Sequence, residues 1–194
     1  MSYKKISTLE LNVALSAAHA EKSYRGQCQA MAWIARFVRD QRHVVRTAEA
    51  AAVAASQDED RYSAVFPLAW PICALLERKE PRAAHLMLSD ALSKAKTITP
   101  ASSQSEALFL LFQASMHGVD RMWEEPFTAL LKSGLPAEHW RQRRNNRDAI
   151  CMVASVDFSF AKQAALNLPG EKLKTNVLEL LDSGKKQTPR PFFW

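Results

Sequence analysis

Pro81-Arg-Ala-Ala-His-Leu-Met-Leu-Ser-Asp-Ala-Leu-Ser-Lys-Ala-Lys-Thr-Ile98 decides the fold class. Ala84, Met87, Leu88, Ala91, Leu92, Ala95 and Ile98 recur at helical spacing, so they share one side of a helix and leave the charged residues on the other. Pro81 suits a first helical turn, where its missing N–H has no intrahelical partner to lose.

Beyond this helix, Thr99-Pro-Ala-Ser-Ser-Gln-Ser105 is a polar connection. Ala107, Leu108, Leu111 and Ala114 then predict a helix stopped by Gly118. Val119, Met122, Trp123, Phe127, Leu130 and Leu131 predict another, with Pro126 in its early turns and Gly134 at its end. Pro136 to Asn146 is a basic helical piece, after which Ala149, Ile150, Val153 and Ala154 resume the apolar face. Asp157 can cap a helix bearing Phe160, Ala161, Ala164 and Leu168, and Leu173, Val177, Leu180 and Leu181 form the last one before Gly184.

The same period runs toward the N-terminus. Tyr62, Val65, Phe66, Ala69, Cys73 and Leu76 follow it, with Pro67 and Pro71 expected to kink or divide the helix. Val44, Val45, Ala48, Ala51, Ala52 and Ala55 form a stripe of mainly small side chains that admits a close neighbour. Cys28, Met31, Ala35 and Val38 make one stripe and Trp33, Ile34 and Phe37 a second, so that helix should be sandwiched. Ser7-x-x-Glu10 can form a capping box ahead of Leu9, Val13 and Ala17.

About ten helices of ordinary length, joined by short turns, predict an all-α fold of stacked antiparallel helix pairs, with a globular helical bundle as the alternative. Ala32-Trp33 and Ala69-Trp70 lie 37 positions apart, each well along the first helix of a pair. In this rhythm the chain resembles a short α-solenoid of the tetratricopeptide-like or HEAT-like kind. Pro67 and Pro71 within a first helix are similar to the HEAT pattern, whereas Trp33-Ile-Ala-Arg36 and Trp70-Pro-Ile-Cys73 depart from the tetratricopeptide consensus. The resemblance implies a single helical-repeat domain over 1–184, a tail over 185–194, and a concave face or groove that holds a segment of a protein partner. The tail, with Pro189-Arg-Pro-Phe-Phe-Trp194, is expected either to cover the last pair's apolar face or to be read by another protein.

Composition agrees with this class. Hydrophobic residues make up 47% of the chain, enough for a continuous core, while 5 glycines and no alternating apolar runs leave nothing to build sheets and tight hairpins. The 3 cysteines, Cys28, Cys73 and Cys151, are far apart among apolar neighbours and read as buried thiols. The N-terminus is interrupted by Glu10, Asn12 and His19, unlike a signal peptide, and no apolar run is long enough for a membrane span. A cytoplasmic protein is expected.

The 5 histidines, His19, His43, His85, His117 and His139, have neither a His-x-x-x-His spacing nor a nearby cysteine, so no metal and no cofactor is expected. No phosphate-binding glycine loop or nucleophile elbow occurs. His117, Asp120, Glu124 and Glu125 are the densest acid/base group and read as a helix-end cluster, so the chain is not expected to be an enzyme.

Net charge is +6, shared along the chain, which favours acidic partners. The most specific polar stretch is Glu138-His-Trp-Arg-Gln-Arg-Arg-Asn-Asn-Arg147. On a helix it sets Trp140 beside Arg144, and Arg143 beside Arg147, while Arg141 adds a further cation. Planar guanidiniums next to an indole suit carboxylates, phosphates or a stacked base. The plainer reading leaves the arginines solvated and turns Trp140 into the core. Arg36 and Arg39 head a second cationic group around a helix turn. These residues predict a non-catalytic binding protein that recognises an acidic protein segment, with nucleic-acid binding through the 139–147 basic face as the alternative.

Overall fold

The computed structural model describes residues 5–133, 139–184 and 187–193. These are all-α, with 73% of residues in helix and no strand among them. The helices are α1 (Thr8–His19), α2 (Tyr24–Phe37), α3 (Arg42–Ala55), α4 (Arg61–Val65), α5 (Ala69–Glu77), α6 (Pro81–Ala95), α7 (Ala101–Ser115), α8 (Glu124–Ser133), α9 (Trp140–Val153), α10 (Phe158–Leu166) and α11 (Glu171–Asp182), with a 3-10 turn at Phe66–Leu68.

Contacts follow chain order. α2 packs on α3, α5 on α6, α7 on α8 and α9 on α10, while α2, α5, α7, α9 and α11 pack in succession as one row. α5 and α7 therefore have neighbours on several sides. Ala69–Leu76 is buried throughout, and Ala107–Ser115 likewise, as an enclosed helix requires. The close approach of α3 to α2 rests on Ala48, Ala51 and Ala55, all fully buried.

Several sequence-predicted boundaries hold. Ser7 accepts from the Glu10 N–H at 3.3 Å while its own N–H donates to the Glu10 carboxylate at 2.9 Å, completing the capping box. Asp157 accepts from the Phe160 N–H at 2.9 Å and starts α10. The α4–α5 division falls at Pro67, whereas Pro71 sits in the first turn of α5, where no backbone donor is lost.

Others are corrected. α1 buries Leu11 and Ala18 and leaves Leu9 and Val13 exposed, the reverse of the expected stripe. The segment before α1 is pinned to the end of α2, where the Ile6 N–H donates to the Phe37 carbonyl and the Arg39 N–H to the Ile6 carbonyl, and this constrains which side of α1 faces α2. α8 begins at Glu124 rather than Val119, because Asp120 and Arg121 both adopt positive φ, of 53° and 56°, and turn the chain before the helix starts. The predicted stops and starts at Gly134, Pro136 and Glu138 lie outside the described residues.

Arg78 joins the first two pairs. From the end of α5 its guanidinium donates to the carbonyls of Arg36 and Val38 at 2.9 and 2.6 Å, and to Gln41 Oε1 at 2.8 Å, thereby capping the C-terminus of α2.

Among its described residues the tail meets α7, α5 and α2, not the last pair α10 and α11 expected from the sequence, and it buries Phe192 and Phe193.

Candidate functional site

The α9 N-terminus is set by His139, whose ring accepts from the Arg141 N–H at 3.2 Å while Gln142 Oε1 accepts from the His139 N–H at 3.2 Å. That box places Trp140 in the first turn. Trp140 is 54% exposed, so it is turned to solvent and not into the core. The guanidinium carbons of Arg141 and Arg144 each lie 5.4 Å from the indole centroid, and the His139 ring stacks beside it at 5.9 Å. Two cations against one indole make a preformed aromatic and cationic surface.

The arginines have different roles. Arg144 pairs with Glu106 of α7 at 3.4 Å and donates to Asn145 Oδ1 at 3.2 Å, so it ties α9 to α7. Arg147 is bound by its neighbour Asp148 at 2.6 Å. Arg141 and Arg143 are exposed, and neither has a carboxylate partner among the described residues. Tyr62 of α4 lies within the field of Arg25, Arg141, Glu106 and Asp60; burial first, then Glu106, pushes its phenol pKa up.

Arg36 and Arg39 belong elsewhere. Arg36 is committed to an ion pair with Glu77 and lies over the rings of Phe37 and Phe193 at 4.9 and 4.8 Å. Arg39 is exposed at the turn after α2, with its N–H used by Ile6. The two do not extend the α9 surface.

Folding also separates His117 from its sequence neighbours. His117, Glu77 and Cys73 bring one ligand-type atom each to within 4.8 Å of one another, an approach between α5 and the end of α7 that spacing could not reveal. Cys73 Sγ donates to Glu77 Oε1 at 3.8 Å, and burial together with Glu77 pushes its thiol pKa up. A soft cation would find thiolate, imidazole and carboxylate donors here, but the Arg36 guanidinium already balances Glu77. Asp120, Glu124 and Glu125 line a different feature, an open groove of about 950 Å³ that also includes His85, Lys96 and Lys132.

Comparison with protein-family models, with curated proteins and with solved structures finds no match to this chain. Among the described residues, no helix is long and apolar enough to cross a membrane.

Proposed function

We propose that this chain is a non-catalytic helical-repeat binding protein that receives a short acidic segment of a protein partner on the N-terminal face of α9. The observation that carries the reading is the exposed Trp140, with the guanidiniums of Arg141 and Arg144 each 5.4 Å from its ring centroid. Exposed tryptophan and arginine are the residue types that concentrate binding energy in interfaces. Here the ring already rests against two guanidiniums and the His139 ring, contacts that reduce the side-chain entropy left to lose on binding.

A short acidic peptide fits better than a nucleic-acid backbone. Arg144 and Arg147 are occupied by Glu106 and Asp148, which leaves Arg141 and Arg143 as the cations of the face without a carboxylate partner among the described residues, and Glu106 would repel a continuous run of phosphates. The three buried free thiols favour a reducing, cytoplasmic setting. The row α2, α5, α7, α9 and α11, in which each helix meets the next, is the basis for the helical-repeat reading.

The test is parallel capture from lysate on the wild-type chain and on Arg141→Glu/Arg143→Glu, with and without nuclease. A protein recovered by the wild type, lost by the variant and insensitive to nuclease is expected, and its association should slow as salt rises. Equal recovery by both chains would remove this face from the binding surface. Recovery that disappears with nuclease would make the partner a nucleic acid.

A further inference from the structure

The tail is held as a bound peptide is held. Residues 187–193 contain no helix, and they cross α7, α5 and α2 as an irregular strap. Each grip comes from a different helix. The Arg190 N–H donates to Gln113 Oε1 of α7 at 2.9 Å, and Gln113 is itself 4% exposed. The Arg190 guanidinium lies 5.6 Å from the Trp70 ring of α5, and Phe192 meets that ring edge-on at 5.3 Å. Phe193 meets Trp33 of α2 edge-on at 5.6 Å and lies under Arg36 at 4.8 Å. The His117 ring also lies steeply inclined to Phe192, at 6.1 Å.

We infer that this groove is a recognition site for an extended segment of a protein partner bearing a basic residue, a proline and two consecutive aromatics, with the chain's own tail as its resident occupant. Side chains of separate helices select the two rings, and one buried carboxamide reads the backbone. Pro191 restricts the segment before binding, which lowers the ordering cost. Linear segments are generally recognised in this way, by a few anchor pockets and main-chain hydrogen bonds. A tethered occupant competes at a high effective concentration, so a foreign segment enters only when it is abundant or binds more tightly. The site is distinct from the α9 face, and Arg141→Glu should leave it unaltered.

The experiment uses the full chain carrying Phe192→Ala/Phe193→Ala, which empties the groove, and a synthetic peptide of residues 187–193. Saturable binding to the variant is expected, about tenfold or more tighter than to the wild type, whose groove is filled by its tethered tail. A peptide carrying the same two alanines should not bind, and Trp70→Ala added to the chain variant should abolish binding. Equal binding by wild type and variant, or none by a folded variant, overturns the inference. Where the variant does not fold, the wild type supplies the answer: excess peptide should speed hydrogen exchange at the Arg190 amide by displacing it from Gln113, and an unchanged rate overturns the inference. A wild-type dimer that the peptide dissolves would put a second copy's tail in the groove and overturn the foreign-partner reading.

Discussion

Phe192 stands edge-on to Trp70, ring centroids 5.3 Å apart and planes at 89°, and so fastens the end of the chain to its middle. Phe192 is 2% exposed, which makes it part of the core despite its place in the tail. Phe192→Ala should therefore behave as a core truncation and cost about 3 kcal/mol or more. For a chain of this size the melting temperature should drop by roughly 6–12 °C. A change of a degree or less would mean that the tail is undocked in solution.

Arg78 offers a second structural test. Its guanidinium satisfies carbonyls that the end of α2 cannot satisfy internally. Arg78→Ala is expected to lower stability by about 1–3 kcal/mol in urea unfolding, since hydrogen bonds to a charged donor are lost and carbonyls are left unpaired. Arg78→Lys should recover part of this, because an ammonium can reach one carbonyl but lacks the planar fork. An unaltered midpoint for the alanine variant would show that water replaces the guanidinium.

The helix periods, the caps at Ser7 and Asp157, and the division at Pro67 were legible because each depends on residues within a turn or two of one another. The path of the tail was not, because its receptor is divided among Trp33, Trp70 and Gln113, and no local pattern joins residues so distant in sequence. Cys73, Glu77 and His117 escaped for the same reason. On the α9 face the residues were readable as a group, but their roles were not. Glu106 lies on another helix, and its position decides that Arg144 is a tether while Arg143 is free. Trp140 could be placed beside arginines from spacing alone, whereas its exposure depends on how α9 sits on α7.

Asn146 is fully buried, and both its amide atoms are without a partner among the described residues. An unmet polar group in the core costs about 1–3 kcal/mol, and leucine, which has the same branched skeleton of four side-chain heavy atoms, carries no such cost. Asn146→Leu should raise the urea midpoint, with a gain of about 1 kcal/mol. A loss of stability would reveal a hydrogen-bonded water on the amide.

The thiols should be silent in the native state. Burial pushes Cys28 up to about 12, and Cys73 and Cys151 also rise above the ordinary thiol range. A disulfide reagent at pH 8 should modify them only as the chain unfolds, because the reactive thiolate is suppressed. The folded chain keeps thiol protons that the unfolded chain releases above about 8.5, so stability is retained below that value and falls as pH climbs toward 12. Rapid native-state labelling would contradict the burial of these groups.

The α9 arginines should separate into two classes under charge reversal. Arg141→Glu and Arg143→Glu alter exposed side chains that hold no carboxylate among the described residues, so each should shift stability by about 0.5 kcal/mol or less. Arg144→Glu is different. It removes the ion pair to Glu106, sets two carboxylates against each other, and withdraws the donor from Asn145, whose amide Nδ2 contacts Ser105 Oγ at 3.2 Å. A cost of about 1–2 kcal/mol is expected, larger than for a solvated pair because part of this network is buried. Glu106→Arg placed opposite Arg144→Glu should recover much of the loss, and the double-mutant cycle gives the coupling between α7 and α9 directly. If Arg144→Glu melts with the wild type, the tether has no energetic weight and Arg144 joins Arg141 and Arg143 as a free binding cation. If Arg143→Glu is the damaging change, the division of the face into tether and binding surface is wrong.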